Sequence, residues 1–205
     1  FLWLGVLAGP SLALLGGMTA LATRPLETRK AEAAAVWQSH GVPHRRIEEW
    51  KYSDLKSALG EKGIGAVFAE WQVQSLPAGV EMFDLSLSNP PDWVKAHFAA
   101  SSGNVMGAAS LALSAGGIAF RVPKDAAITA PLKLDFTGPG HVRGLLVLEE
   151  GASLTLVEGV TLTDFRNVGL EIVLNARASL EHVRISPEAG DSVLVEEAFV
   201  RVAAG

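Results

Sequence analysis

Short runs of apolar and polar residues, each bounded by turn-forming residues, fill the C-terminal part of the chain. The runs cover residues 143–148, 153–157, 167–174, 179–185 and 192–202. Within the third run, apolar residues occupy alternate positions, as at Val168, Leu170 and Ile172, which places one apolar face inward on a β-strand. No helix of ordinary length fits between these runs, so the pattern predicts a series of short strands.

The strand pattern also repeats along the chain. Residues 151–156 are echoed by residues 177–182, at a spacing of about 26 residues that lies within the range of solenoid repeats, and residues 125–128 form a weaker third copy. We therefore predict a mainly β fold, a right-handed parallel β-helix (β-solenoid), formed by residues 105–205 and truncated at its C-terminal end. A β-sandwich would have strands of similar length and stays open as the alternative architecture.

The residues before the strands favour helices. Residues 26–40 combine strong helix formers with an apolar stripe, and Gly41 marks the end of this helix. Asn89 suits the N-cap of a second helix, and Pro90 suits its first turn. We therefore predict a small N-terminal helical domain over residues 23–104.

Residues 1–22 carry no charged residue and have the composition of a membrane or signal segment. About 20 apolar residues can span a bilayer, so a membrane-anchored structural protein is one interpretation. Glycine and proline interrupt the run, however, and no basic region precedes it. We instead predict that translation begins at Met18 and that this apolar leader lies mostly upstream of the true start.

A dense mixture of aromatic and charged residues follows the first predicted helix. Ile47, Trp50, Tyr52 and Leu55 are apolar or aromatic anchors, and charged residues lie between them. Ion pairs among those charged residues would contribute only about 0–1 kcal/mol each at an exposed site. We interpret the segment as a packing motif that docks the helical region on the strands. A binding epitope is the alternative, because interface hot spots use the same residue types.

Composition narrows the classes of function. The chain has 205 residues and no cysteine, which excludes disulfides, thiolate ligands and a cysteine nucleophile within it. Its net charge is −5, from 17 basic and 22 acidic residues without a long run of either sign, so a broad nucleic-acid interface is not expected. A chain without cysteine also fits a cytoplasmic protein.

Candidate catalytic and metal-binding residues are few. His40 and His44 are four residues apart, but Gly41 lies between them and breaks a shared helix face. His182 lies in a predicted strand among charged residues, where we expect a structural or exposed role. No serine lies in a nucleophile-elbow motif, and the glycines form no phosphate-binding loop. We therefore predict no catalytic, cofactor-binding or metal-binding residue.

One set of charged residues defines an enzymatic alternative. It comprises Glu149, Glu150, Glu158, Asp164 and Arg166. A carbohydrate-active β-helix enzyme, either a lyase or a hydrolase, would need such groups to converge on one exposed strand face. Adjacent residues of a strand point to opposite sides of a sheet, so we interpret the set as a solvated rim.

The aromatic segment resembles the N-terminal signature of the SufD family, a component of the SUF system for iron–sulfur cluster assembly. The residues that carry the resemblance are Arg46, Glu48, Trp50, Lys51, Tyr52, Ser53, Asp54 and Leu55. Two further matches follow in the family's order, at residues 117–134 and 146–158. Several motifs in the right order make the resemblance specific, although each alone is weak.

The resemblance implies a cytoplasmic scaffold subunit and not an enzyme. Such a subunit would pair with a SufB-like paralogue and a SufC-like ATPase, and the complex would assemble the iron–sulfur cluster. The resemblance implies no cofactor bound by this chain, no nucleic-acid partner and no membrane. The family places its partner contacts mostly beyond the position of Gly205, so the signature residues are expected to be structural.

Overall fold

A computed structural model describes residues 3–5, 25–62, 64, 70–100, 103–160, 165–186 and 191–204 of the chain. The helices are α1 (Leu26–His40), α2 (Leu55–Leu59), α3 (Asp92–His97) and α4 (Val105–Leu113). The strands are β1 (Trp3–Gly5), β2 (Glu70–Ser75), β3 (Glu81–Asp84), β4 (Gly117–Val122), β5 (Leu132–Thr137), β6 (Gly140–Leu148), β7 (Ser153–Val160), β8 (Phe165–Leu174), β9 (Ser179–Ile185) and β10 (Val193–Val202). Apart from β1, the apolar leader predicted for residues 1–22 lies outside the described residues.

The strands form two sheets. The larger sheet has the order β1-β10-β8-β6-β4-β3, and the smaller sheet has the order β2-β5-β7-β9. All neighbouring strands are parallel except β3 with β4 and β2 with β5, which are antiparallel. From β4 onward, successive strands of the chain alternate between the two sheets.

The predicted fold class, a mainly β right-handed parallel β-helix, is wrong. The structure is a mixed α/β fold in which each sheet combines parallel and antiparallel pairs, with four helices among the described residues. Strands β2 and β3 account for much of the difference, because they lie inside the region interpreted as helical. Both are short, and none of their described positions is fully buried; in β2, Trp71 and Val73 alternate with polar residues, but two apolar positions are too few to predict a strand.

The sequence repeat corresponds to a constant offset between stacked strands, although the fold class inferred from it was wrong. His141 of β6 lies opposite Asn167 of β8, 26 residues further along the chain. The intervening turns also stack. Asp125, Gly151 and Arg177 occupy equivalent positions with φ values of 57°, 68° and 59°. At two of these turns the backbone N–H donates to a carbonyl of the next turn, at 2.8 and 2.9 Å.

The central strands of the larger sheet, β6 and β8, are buried on both faces. The inner face of this sheet packs against the smaller sheet around Phe120, Leu146 and Ile172, and its outer face packs against α3 and α4 around Leu145 and Val173. Every residue of β6 is buried, as expected for a parallel strand covered on both sides. Each fully buried aliphatic or aromatic side chain contributes about 1.5–3 kcal/mol to folding, so this central layer dominates the stability.

The helix predictions have mixed outcomes. Helix α1 is confirmed with its predicted bounds, Leu26–His40. The predicted start of the next helix is wrong, because Asn89 adopts a left-handed conformation with φ of 62° and α3 begins only at Asp92. A residue with positive φ ends or turns a chain segment and cannot act as the extended N-cap of a helix.

Candidate functional site

The signature segment, which we define as residues 41–59, begins where helix α1 ends. Gly41 has φ of 61°, and its N–H donates to the carbonyl of Trp37 at 2.8 Å, which closes the helix. A turn follows in which the N–H of Ile47 donates to the carbonyl of His44 at 2.9 Å. A 3-10 turn at Glu48–Trp50 then leads toward helix α2.

Two residues hold the signature segment on the body of the protein. Trp50 and Leu55 are both 0% exposed. They belong to a cluster that includes Val105 and Met106 of α4 and Val193 of β10. The interpretation of this segment as a packing motif is therefore confirmed for Trp50 and Leu55.

Asp54 fixes the geometry of the segment around α2. Its Oδ1 accepts a hydrogen bond from the N–H of Ser57 at 3.0 Å, as an N-cap residue does. This hydrogen bond lowers the pKa of Asp54, and the nearby charge of Arg45 acts in the same direction. The N–H of Lys56 donates to the carbonyl of Pro43 at 3.0 Å, which ties the two ends of the segment together.

The other signature residues face the solvent. Tyr52 is 90% exposed, so its predicted role as a buried anchor is wrong. Lys51 forms an ion pair with Glu48, and its ammonium nitrogen lies 5.1 Å from the centre of the Tyr52 ring. Arg46 is also exposed. The signature therefore has an inner part that packs and an outer part that is available for contacts.

A shallow basic depression lies on the outer side of the segment. It has a volume of about 280 Å³ and is lined by His44, Arg45, Arg46, Asp54 and Lys56. Three permanently charged cations, Arg45, Arg46 and Lys56, outnumber the one carboxylate among these residues, so the depression is basic. We refer to it below as the basic depression.

A buried ion pair joins the larger sheet to the helices on its outer face. Arg143 of β6 is 0% exposed and donates from Nε and Nη2 to Glu171 of β8, at 3.1 and 3.0 Å. Its Nη1 also donates to Ser110 Oγ at 3.1 Å on α4. Glu171 accepts hydrogen bonds from the N–H groups of Ala99 and Ala100, at 2.8 and 3.0 Å. The pair therefore connects two strands, helix α4 and the chain after α3.

Two further features adapt the surroundings to Arg143. A Cβ at Gly169 would lie 2.6 Å from the Arg143 guanidinium, so the strand needs glycine beside the buried cation. The ring of Phe199 lies 4.3 Å from the guanidinium carbon and forms a cation–π contact with it. The sequence analysis placed Arg143 in a predicted strand but did not predict its buried ion pair with Glu171. The available signal was a charged residue inside an otherwise apolar strand.

A second buried charge lies near this pair on β10. Glu197 is 4% exposed and faces the same side of the sheet as Arg143. Burial raises the pKa of Glu197 to about 7, although Asn104 and Arg143 act to lower it. Beside them, burial lowers the pKa of His141 to about 4, so this imidazole is neutral in the folded protein near pH 7.

A separate ionic cluster lies between the two sheets. Arg184 of β9 pairs with Glu158 of β7 at 2.8 Å and with Glu196 of β10 at 3.3 Å. His182 also pairs with Glu158. Burial alone would raise the pKa of Glu158, but the contacts with His182 and Arg184 lower it. The structural role expected for His182 is therefore confirmed.

The charged residues considered for carbohydrate chemistry occupy different places. Glu149 pairs with Arg121 at 3.0 Å beside one turn, whereas Glu158 is buried between the sheets. Arg166 is also buried and donates from Nε to the carbonyl of Gly138 at 3.0 Å. Asp164 lies outside the described residues. The described members of the set share no exposed face.

The histidine pair near the end of α1 does not form a joint site. His40 Nδ1 contacts Ser39 Oγ at 2.9 Å, and His44 Nδ1 accepts a hydrogen bond from the N–H of Arg46 at 3.2 Å. Among the described residues, no group of three or more His, Asp or Glu side chains has the geometry to hold a metal ion.

Exposed aliphatic side chains lie at one end of the two sheets, on the outer face of β9 and on the inner face of β10. We define this open edge by Val183 and Ile185 of β9 and by Val200 and Val202 of β10, whose exposed fractions are 40%, 57%, 55% and 67%. Strand β9 is the last strand of the smaller sheet, and β1 covers β10 only from Leu194 to Glu196. In the part of the chain that the structure describes, no strand pairs with the remaining side of this edge.

Comparison with known proteins adds no relative: no protein family and no curated protein matches this chain. Within the described ranges, no helix combines the length and the apolar character that crossing a membrane requires.

Proposed function

We propose that this chain is a protein-binding scaffold subunit of a SUF-type iron–sulfur cluster assembly complex, similar to SufD. In this proposal it pairs in the cytoplasm with a SufB-like paralogue and works with a SufC-like ATPase. It performs no catalysis itself. The iron–sulfur cluster is the product of the complex, and no residue of this chain is assigned to hold it.

The open edge is the observation that carries the protein-binding part of this proposal. Four aliphatic side chains are exposed at the ends of two strands, and parallel strands with unpaired backbone groups readily accept another strand or sheet. A soluble protein gains by covering such a surface with a partner.

The resemblance to the SufD family supports the choice of complex. It rests on the signature at Arg46–Leu55 and on two further motifs in the family's order. The packing of Trp50 and Leu55 agrees with a structural signature. The β-helix class, which the resemblance also implied, is overturned by the structure and gives the proposal no support.

Co-purification tests the proposal. The chain is expressed with an affinity tag together with a SufB-like protein and a SufC-like ATPase, and we expect all three to elute as one complex. The double variant Val200→Lys, Val202→Lys should lose most of the bound SufB-like protein, because two charges replace the apolar contact.

The matched control is Leu87→Lys, which also charges an exposed aliphatic side chain, 59% exposed, but outside the open edge. This control should retain the complex. Elution of the tagged chain alone, or equal loss of partner from the control, would contradict the proposed scaffold role.

A further inference from the structure

We propose that the basic depression binds an acidic peptide segment of a partner protein. The inference rests on the protein-binding role proposed above, but on no particular complex. It assigns a function to the outer part of the signature segment, which the packing of Trp50 and Leu55 does not explain.

The first argument is the concentration of positive charge. Arg45, Arg46 and Lys56 line the same depression together with His44, while the net charge of the whole chain is −5. Among the described lining residues Asp54 is the one acid, and it offsets only part of this positive charge. The depression therefore offers a local positive field on an acidic protein.

The second argument comes from how other exposed cations are paired. Lys51, Lys95 and Lys124 each form an ion pair with a carboxylate. Among the described residues, no carboxylate lies within ion-pair distance of Arg45 or Arg46. Arg45 lies close enough to Asp54 to lower its pKa, but neither guanidinium forms an ion pair within the described residues, so both can bind carboxylates supplied by another molecule in a bidentate manner.

The third argument concerns the kind of anion. A volume of about 280 Å³ accommodates a few carboxylate side chains, and the chain has no extended basic stripe of the kind that a nucleic acid requires. Tyr52 is 90% exposed close by in the sequence. Tyrosine and arginine together are the residues most enriched at protein–protein hot spots, so a peptide fits better than a nucleic acid.

The depression is also held in place before any partner binds. Trp50 and Leu55 anchor the segment in the core, and the hydrogen bond from Lys56 N–H to Pro43 closes it. A surface that is ordered in advance loses less conformational entropy on binding, which favours affinity for a short flexible peptide.

Fluorescence anisotropy with a fluorescein-labelled hexaglutamate peptide tests the proposal. Every protein in this test carries Val200→Lys, Val202→Lys, which limits association through the open edge, and is used at low micromolar concentration with its monodispersity checked by light scattering; wild type below means this parent. We expect the double variant Arg45→Ala, Arg46→Ala to bind about 5- to 10-fold more weakly, because two exposed charge pairs are lost. Added salt should weaken the wild-type complex.

The matched control is Lys124→Ala, Arg177→Ala, which removes two exposed cations from another part of the surface. Its affinity should stay within about twofold of wild type. Both double variants remove two positive charges, so a difference between them reports the position of the charges and not the net charge. Equal affinity of the Arg45→Ala, Arg46→Ala variant and the wild type would overturn the proposal.

Two competitors separate the peptide from other anions. Inorganic phosphate and a 12-nucleotide single-stranded DNA are added to the peptide complex at matched charge concentration. Displacement only by unlabelled hexaglutamate supports the proposal, whereas stronger displacement by phosphate or DNA overturns it. Because these measurements use the chain alone, their result is independent of whether it co-purifies with SUF components.

Discussion

The two halves of strand β10 have similar secondary structure and opposite surroundings. From Val193 to Glu197 every residue is buried, whereas from Ala198 to Val202 exposed and half-buried residues alternate. The covered half contains the carboxylates Glu196 and Glu197, only 6% and 4% exposed. The open half exposes Val200 and Val202, at 55% and 67%. Charge is thus buried and aliphatic surface is exposed along one strand.

The comparison teaches that neighbouring elements, and not the hydropathy of the residues, decide burial here. The covered half lies under α4 and the Trp50 cluster on one face, and it contacts Arg184 of β9 on the other. Among the residues that the structure describes, none provides such a cover for the inner face of the open half. Buried carboxylates persist in the covered half because cations lie near them, as Arg184 does for Glu196.

The largest expected effect comes from the ion pair beside the covered half. Arg143→Ala leaves Glu171 buried without the cation that donates hydrogen bonds to it, so we expect a loss of about 3–5 kcal/mol in the free energy of unfolding. Urea denaturation followed by circular dichroism measures it. The control Arg121→Ala removes a partly exposed arginine and should cost about 1 kcal/mol or less. Similar losses in the two variants would show that burial does not distinguish the two regions.

A comparable effect is expected from the aromatic anchor. Trp50→Ala removes a fully buried side chain that packs near Val193 and Val195, and we expect a loss of about 3–5 kcal/mol by the same measurement. Tyr52→Ala is the matched control, because this aromatic residue of the same segment is 90% exposed. A change of about 0.5 kcal/mol or less is expected for the control. An equal loss of unfolding free energy in Trp50→Ala and Tyr52→Ala would contradict the division of the signature segment into a packed inner part and an exposed outer part.

A smaller effect is expected from the pH dependence of the covered half. The pKa of Glu197 is raised from 4.5 to about 7, so the folded protein binds a proton that the unfolded chain has released between these values. Stability therefore falls as the pH rises through this window, by up to about 3 kcal/mol from this group. In Glu197→Gln, urea titrations at pH 5, 6, 7 and 8 should show a correspondingly weaker fall.

His141 gives the stability a pH dependence of the opposite sign. Comparing the wild type with Glu197→Gln cancels this contribution. Its pKa is lowered from 6.5 to about 4, so stability from this group is lost as the pH falls through that range. Because His141 is present in both the wild type and Glu197→Gln, the difference between the two profiles isolates Glu197. Parallel profiles for the two proteins would contradict the raised pKa.

The smallest effect on stability is expected at the open edge. Val200→Lys, Val202→Lys places charges where the aliphatic side chains are already exposed, so the free energy of unfolding should change by about 0.5 kcal/mol or less. We expect the wild-type chain alone to aggregate, because its apolar edge is uncovered, and the variant to aggregate less. Size-exclusion chromatography with light scattering measures this. A monomeric wild type would show that the open edge does not drive association.

Local patterns allowed several elements to be predicted from particular residues. Alternating apolar residues predicted β8, and a short run bounded by turn-forming residues predicted β9, whose predicted bounds agree with the structure. Helix formers followed by Gly41 predicted α1 with its bounds. Trp50 and Leu55 were expected to pack, and both are fully buried. Each of these predictions depends on interactions within a few residues or on one apolar face.

Contacts between distant residues could not be predicted in the same way. Arg143 and Glu171 are 28 residues apart, and only the register of β6 against β8 brings them together. The antiparallel pairing of β2 with β5 likewise joins short segments that carry no repeat. The grouping of His44 with Lys56 around one depression depends on the folded path of the signature segment.

The amino-acid sequence by itself determined where the last five strands and the first helix form, because apolar periodicity and backbone preferences act over short distances. It also determined the 26-residue offset, since equivalent turns recur along the chain. Only the tertiary structure decided the fold class, the burial of Arg143 and Glu197, and the exposure of Tyr52 and Val202. Those properties depend on which elements cover a residue, and covering elements are distant in the chain.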